Sequence, residues 1–138
     1  TDNRSEKIEH LKNNNFTCLV FYDDQKKIQL RIRGATKLEK SKEESWNKLT
    51  NWSKRCYLTS NPPGRVSDNP TSGFPNKFEK EAPSSDESQK GFENFTVIKI
   101  FIDEIEWLFL ASQGHRRALF KVNRDNSNLS IESKWLVP

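Results

Sequence analysis

Arg4, Ser5 and Lys7 crowd the start of the stretch TDNRSEKIEHL, beside a single acid, Glu6. The segment reads as a short helix, with Ile8 and Leu11 three apart on one face and Asp2, Asn3 and Ser5 as candidate N-caps. Backbone amides at a helix start point outward unpaired. Combined with hydroxyl and cationic side chains they form an anion cradle, for phosphate above all. The plainer alternative is a solvated polar turn, since charged side chains ordinarily face water.

Two further groups could bind a ligand. Gln29 lies within IQLRIRG on the face opposite Ile28, Leu30 and Ile32, flanked by Arg31 and Arg33. Its amide is both donor and acceptor, which suits the edge of a heterocycle; an exposed polar sheet face is the alternative. SQGHRRALF sets His115, Arg116 and Arg117 beside Gly114, where they could reach an anion or simply enter a basic hairpin. Nothing resembles a nucleophile–base pair, a Walker loop, paired catalytic carboxylates or a metal ligand set. If the protein is an enzyme, a cofactor must supply the reactivity.

These groups need a scaffold, and 138 residues make one domain with a real core. Apolar residues are only 33%, but nine Phe and four Trp bring large buried area per residue. The net charge is +4, with Lys and Arg mixed among Glu and Asp, which argues against the basic stripe of a nucleic-acid surface. Cys18 and Cys56 read as buried, reduced thiols of a cytoplasmic protein. The longest apolar run, Trp107 to Ala111, is far short of a membrane span.

After the first helix, FTCLVFY reads as a strand buried on both faces, and IQLRIRG as a half-buried antiparallel strand beyond the turn DDQKK. Ser41 and Glu44 form a capping-box pattern that predicts a second helix, with Trp46, Leu49, Ser53 and Cys56 as its buried stripe. Asn51, Arg55 and Thr59 fall near its end, where a cation also complements the helix dipole. Residues 59–94 hold five of the six prolines and read as a long loop, loosely attached from Lys80 to Gly91. FTVIKIFI and EIEWLFLA predict two strands about an acidic turn at Asp103 and Glu104. RRALFKV, a DNSN turn and LSIESKWLVP complete the chain. The fold class is therefore mainly β with two or more helices: an antiparallel sheet of at least five strands, most economically closed as a β-barrel.

The order of these segments resembles the pyridoxamine 5'-phosphate oxidase family and its relatives, the FMN-binding split barrels. The likeness lies in TDNRSEK-x3-L, FYD-x4-IQLRIRG, W-x2-L-x5-R, IEWLFL…GHRRALF and the closing W-L-x-P. It implies a homodimer with FMN at the subunit interface. Thr1, Ser5 and Lys7 would hold the FMN phosphate with Arg4 as helper, and Gln29 would contact the ring. Arg117 would take the place of an arginine that touches cofactor or substrate, near His115. Asn51, Arg55 and Thr59 match the positions that hold a substrate phosphate, although Asn51 replaces a tyrosine and Leu119 a second arginine. A tryptophan that flanks the flavin aligns near Leu108, one step from Trp107, and a one-residue shift in a strand reverses the face. Two strands and an Arg-x3-Leu-Lys motif that precede the TD stretch in the family are not in this sequence, so the chain matches the C-terminal two-thirds of such proteins.

The expected function is an FMN-dependent oxidoreductase acting on a small substrate, phosphorylated or not. The alternatives are a non-catalytic flavin-binding or storage protein, and a small β-barrel nucleic-acid binder using Trp46, Trp52 and a basic face.

Overall fold

A computed structural model describes residues 1–125 and 128–138. The chain divides by its contacts into two compact units: residues 1–13 with 38–99, and residues 14–37 with 100–138. Among the described residues no helix is long and apolar enough to cross a membrane.

The first unit is helical and is built on aromatic packing. Its helices are α1 (Glu6–Asn13), α2 (Glu43–Asn47), α3 (Asn51–Lys54) and α4 (Ser85–Gln89). The expected second helix is broken because Thr50 caps a new start, its side chain accepting from the Ser53 N–H at 3.1 Å. The predicted box at Ser41 and Glu44 does not form. Ser41 Oγ instead donates to the Glu43 carboxylate, and α2 has no side-chain cap. Of the expected stripe only Trp46 is buried, its ring 5.6 Å from those of Tyr57 and Phe92 and 5.3 Å from that of Phe95. Cys56, like Cys18, is an exposed free thiol, not a core residue. Lys42 closes the cluster from one side, its ammonium donating to the carbonyls of Phe92 and Phe95, each at 2.7 Å.

The proline-rich stretch is not loosely attached. Ser84 and Glu87 make a true capping box at the start of α4, and Phe78, Pro83 and Ser88 are buried. Arg55 fastens the segment. Its guanidinium lies between the rings of Trp52 (3.9 Å) and Phe74 (4.3 Å) and donates to the carbonyls of Phe78 (2.6 Å) and Glu79 (3.1 Å).

The sheet runs β1 (Phe16–Asp23), β2 (Ile28–Glu39), β3 (Val97–Phe109), β4 (Arg116–Asp125) and β5 (Asn128–Leu136), paired in that order. The alternation of IQLRIRG does give an antiparallel strand, with Leu30 opposite Phe21 and Gln29 opposite Tyr22. FTVIKIFI and EIEWLFLA form one strand, not two. Asp103 and Glu104 need no turn because each finds a cation on the sheet, Arg124 at 3.4 Å and Arg33 at 2.6 Å. The expected turn at DNSN includes Asn126 and Ser127, which lie outside the described residues.

The sheet is open. Closure requires its two edges to share a ladder, and β1 and β5 each pair with a single neighbour. Position at an edge also explains why β1 is not buried on both faces: Phe16 is 71% exposed, Val20 60% and Phe21 53%. Gly34 marks a close approach of backbones, since a Cβ there would sit 2.0 Å from the Phe101 carbonyl oxygen.

Candidate functional site

At the amino end, residues 1–3 run antiparallel to residues 94–96. Asp2 bridges Phe95, the Asn3 N–H donates to Asn94 O at 2.8 Å, and the Thr96 N–H donates to Thr1 O at 2.9 Å. This pins the turn into α1 and buries Asp2, whose carboxylate gathers the neighbouring donors. It accepts the Arg4 backbone N–H at 2.8 Å and the Arg4 guanidinium at 3.1 and 2.8 Å. Burial alone would raise the Asp2 pKa, but the Arg4 hydrogen bonds and charge outweigh it and hold the carboxyl below its ordinary value. The same guanidinium donates to the carbonyl and the hydroxyl of Thr59, both at 2.9 Å. Ser5, also buried, donates its hydroxyl to the Asp2 carbonyl at 2.9 Å.

The donors that crowd this turn therefore answer first to an acid of their own chain. Among the described residues Lys7 differs: it is exposed on the first turn of α1 and takes part in no ion pair. Its ammonium, with the outward amides of that turn, is what remains for an external anion.

Asn51, Arg55 and Thr59 do not converge as an open anion site. Asn51 meets the hydroxyls of Ser88 (3.4 Å) and Ser85 (3.5 Å), Arg55 holds the proline-rich segment, and Thr59 is taken by Arg4. Beside them is a cavity of about 490 Å³ lined by Arg4, Tyr57, Thr59, Phe78, Lys90 and Asn94. Burial raises the Tyr57 phenol pKa there.

On the sheet, the face carrying Gln29 is polar and ordered by charge. Glu106 lies on β3, is 4% exposed, and receives Arg31 from β2 at 3.4 Å and Arg117 from β4 at 2.8 Å. The Arg117 hydrogen bond lowers the Glu106 pKa against the effect of burial, with the charges of Arg117, Arg31 and Arg33 adding to it. The Nε of Arg117 is buried and has no partner among the described residues. Arg117 stands opposite Leu108, while Trp107 stands opposite Ala118. Trp107 therefore projects from the other face, where its ring is 6.1 Å from that of Phe109 and 6.3 Å from that of Trp135. It does not substitute for a ring-flanking tryptophan beside Leu108.

His115 follows a turn in which Gly114 has a φ of 113°, a conformation that excludes most side chains. His115 is exposed, and Arg116 folds back onto the carbonyls of Gly114 and His115, so neither joins Arg117 at Glu106. Leu119, in place of a second arginine, is buried. The residue that sequence reasoning missed is Glu106. Its signal was an acid at alternating spacing within an apolar strand, with arginines on the strands to either side.

No protein-family model matches the chain, and no curated protein does. Among solved structures, the pyridoxamine 5'-phosphate oxidase-related, FMN-binding protein of Nostoc punctiforme matches over 100% of this chain and 71% of its own, with a TM-score of 0.72 and 18% identity. The chain has the split-barrel fold. PhzG of Burkholderia lata, solved in complex with tetrahydrophenazine-1-carboxylic acid, matches this split barrel over all of the chain and 66% of its own, with a TM-score of 0.67 and 14% identity. The split barrel here is the open five-strand sheet described above.

Proposed function

We propose that the protein binds FMN and serves as a flavin-dependent oxidoreductase of the pyridoxamine 5'-phosphate oxidase type, acting as a homodimer on a small molecule. The observation that carries this reading is a split-barrel sheet with Gln29, Arg31 and Arg117 on one polar face. The donor chemistry fits the group. Lys7 would hold the phosphate, the Gln29 amide can meet both donors and acceptors of a ring edge, and the buried Arg117 Nε is a donor without an acceptor. FMN, when bound, supplies the hydride acceptor that no side chain here can provide. The protein's part is to bind and orient. The exposed apolar residues of β1 support a second copy as partner.

The internal bonding of Asn51, Arg55 and Thr59 favours a substrate other than one held by its phosphate there, or a flavin-binding role without turnover. Titration with FMN and with riboflavin, followed by flavin fluorescence, tests the first step. The expected result is a bound, spectrally shifted flavin. Lys7→Ala should weaken FMN about 10- to 100-fold, as for a lost charge-assisted hydrogen bond, and leave riboflavin unchanged. A colourless protein that quenches neither flavin would overturn the proposal. Anaerobic bleaching by candidate substrates then separates an oxidoreductase from a storage protein.

A further inference from the structure

Glu106 is a costly residue for its position. A carboxylate that is 5% exposed in the middle of a sheet must be paired, and an apolar side chain there would need no partner. Its two oxygens are divided between two strands: Oε1 meets Arg31 Nη1 at 3.4 Å, and Oε2 meets Arg117 Nη2 at 2.8 Å. The pairing does not saturate the arginines. Each guanidinium has five N–H donors, the Arg31 contact is long, and the Arg117 Nε is buried without a partner. Arg33 is likewise held, by Glu104 at 2.6 Å, so the three arginines around this part of the face outnumber the two acids that pair them.

We propose that Glu106 is a positioning residue: it holds Arg31 and Arg117 side by side as a donor pair for the acceptor-rich edge of a planar ring lying against the Gln29 face. The proposal rests on the flavin reading above. Glu106 itself touches no ligand. It sets the direction of two guanidiniums from strands that do not neighbour one another, and it tempers their charge.

The test titrates wild type, Glu106→Gln, Glu106→Asp and Arg31→Gln with FMN and with riboflavin, with thermal melting of each variant alongside. Glu106→Gln is expected to lose about tenfold or more in affinity for both flavins alike, because the pair acts on the ring and not on the phosphate. Glu106→Asp should recover part of that loss. The bound flavin of Glu106→Gln should also show a more positive midpoint potential, since one negative charge has left a face that would stabilise the anionic reduced ring. If Glu106→Gln does not fold, Arg31→Gln, which leaves the carboxylate paired with Arg117, must lose affinity for both flavins.

Wild-type affinity for both flavins together with an unchanged potential in Glu106→Gln would overturn the proposal and leave the flavin reading standing. So would a loss confined to FMN. Failure of the wild type to bind either flavin overturns both.

Discussion

Arg55 stands where the family resemblance puts a substrate-phosphate ligand, yet its guanidinium fastens the proline-rich segment through Nη1 and two ring contacts, while its buried Nε has no partner among the described residues. Arg55→Ala separates the two roles. It removes hydrogen bonds of 2.6 and 3.1 Å to the Phe78 and Glu79 carbonyls and two ring contacts at 3.9 and 4.3 Å. A charge-assisted hydrogen bond contributes about 1.5–3 kcal/mol and a partly exposed cation–π contact about 0.5–1 kcal/mol. The Arg55–Glu79 bond is exposed and adds little, so the loss is about 2–3 kcal/mol for local opening. At 1.4 kcal/mol per tenfold, the open population rises about 30- to 150-fold. A glutamyl endopeptidase cutting after Glu79 and Glu81 reads that population directly while reclosing is faster than cleavage. Arg55→Lys should fall between, because a lysine keeps the charge but not the planar stack. If Arg55→Ala is cut at the wild-type rate, Arg55 does not hold the segment, and a role in binding an external anion regains its place.

Gly34→Ala is expected to destabilise by about 2–3 kcal/mol, an overpacking cost at its upper range because the obstacle is the Phe101 backbone oxygen and not a movable side chain; thermal melting checks it. Glu87 gives a pH prediction. The Lys77 ammonium, donating at 2.5 Å, and the Ser84 backbone N–H, at 2.9 Å, pull its pKa from 4.5 down to about 2. A carboxyl depressed on folding contributes stability that is full above its ordinary value and is lost as pH falls towards 2. Amide protection factors in α4, taken relative to the intrinsic exchange rate at each pH, should therefore fall across that window, and Glu87→Gln should flatten the dependence.

What was legible in the sequence was whatever depended on spacing alone. The alternation of Ile28, Leu30 and Ile32 placed β2 and its faces, and Gln29 does share a face with Arg31. What failed was whatever depended on a distant partner. Asp103 and Glu104 read as a turn because acids break strands in isolation, whereas Arg124 and Arg33 keep them in β3. FTCLVFY read as buried because apolarity does not say whether a strand is central or at an edge. The internal partners of Arg4 were hidden in the same way: nothing local shows that Thr59 accepts from it, although Asp2 stood only two residues away. The helix at Ser84 was within reach: Ser-x-x-Glu is written there as plainly as at Ser41, and the prolines around it obscured the pattern.

Trp46 has a consequence for anyone following this protein in solution. It is 1% exposed in the first unit, whereas Trp52 is 49% exposed and Trp135, in the second, 73%. An indole sealed among aromatic neighbours emits at shorter wavelength than one bathed in solvent, so a red shift on denaturation reports on Trp46, with a contribution from the half-buried Trp107 of the second unit. The helical unit thus carries its own optical gauge, and replacing Trp52, Trp107 and Trp135 by phenylalanine would turn it into a single-site probe.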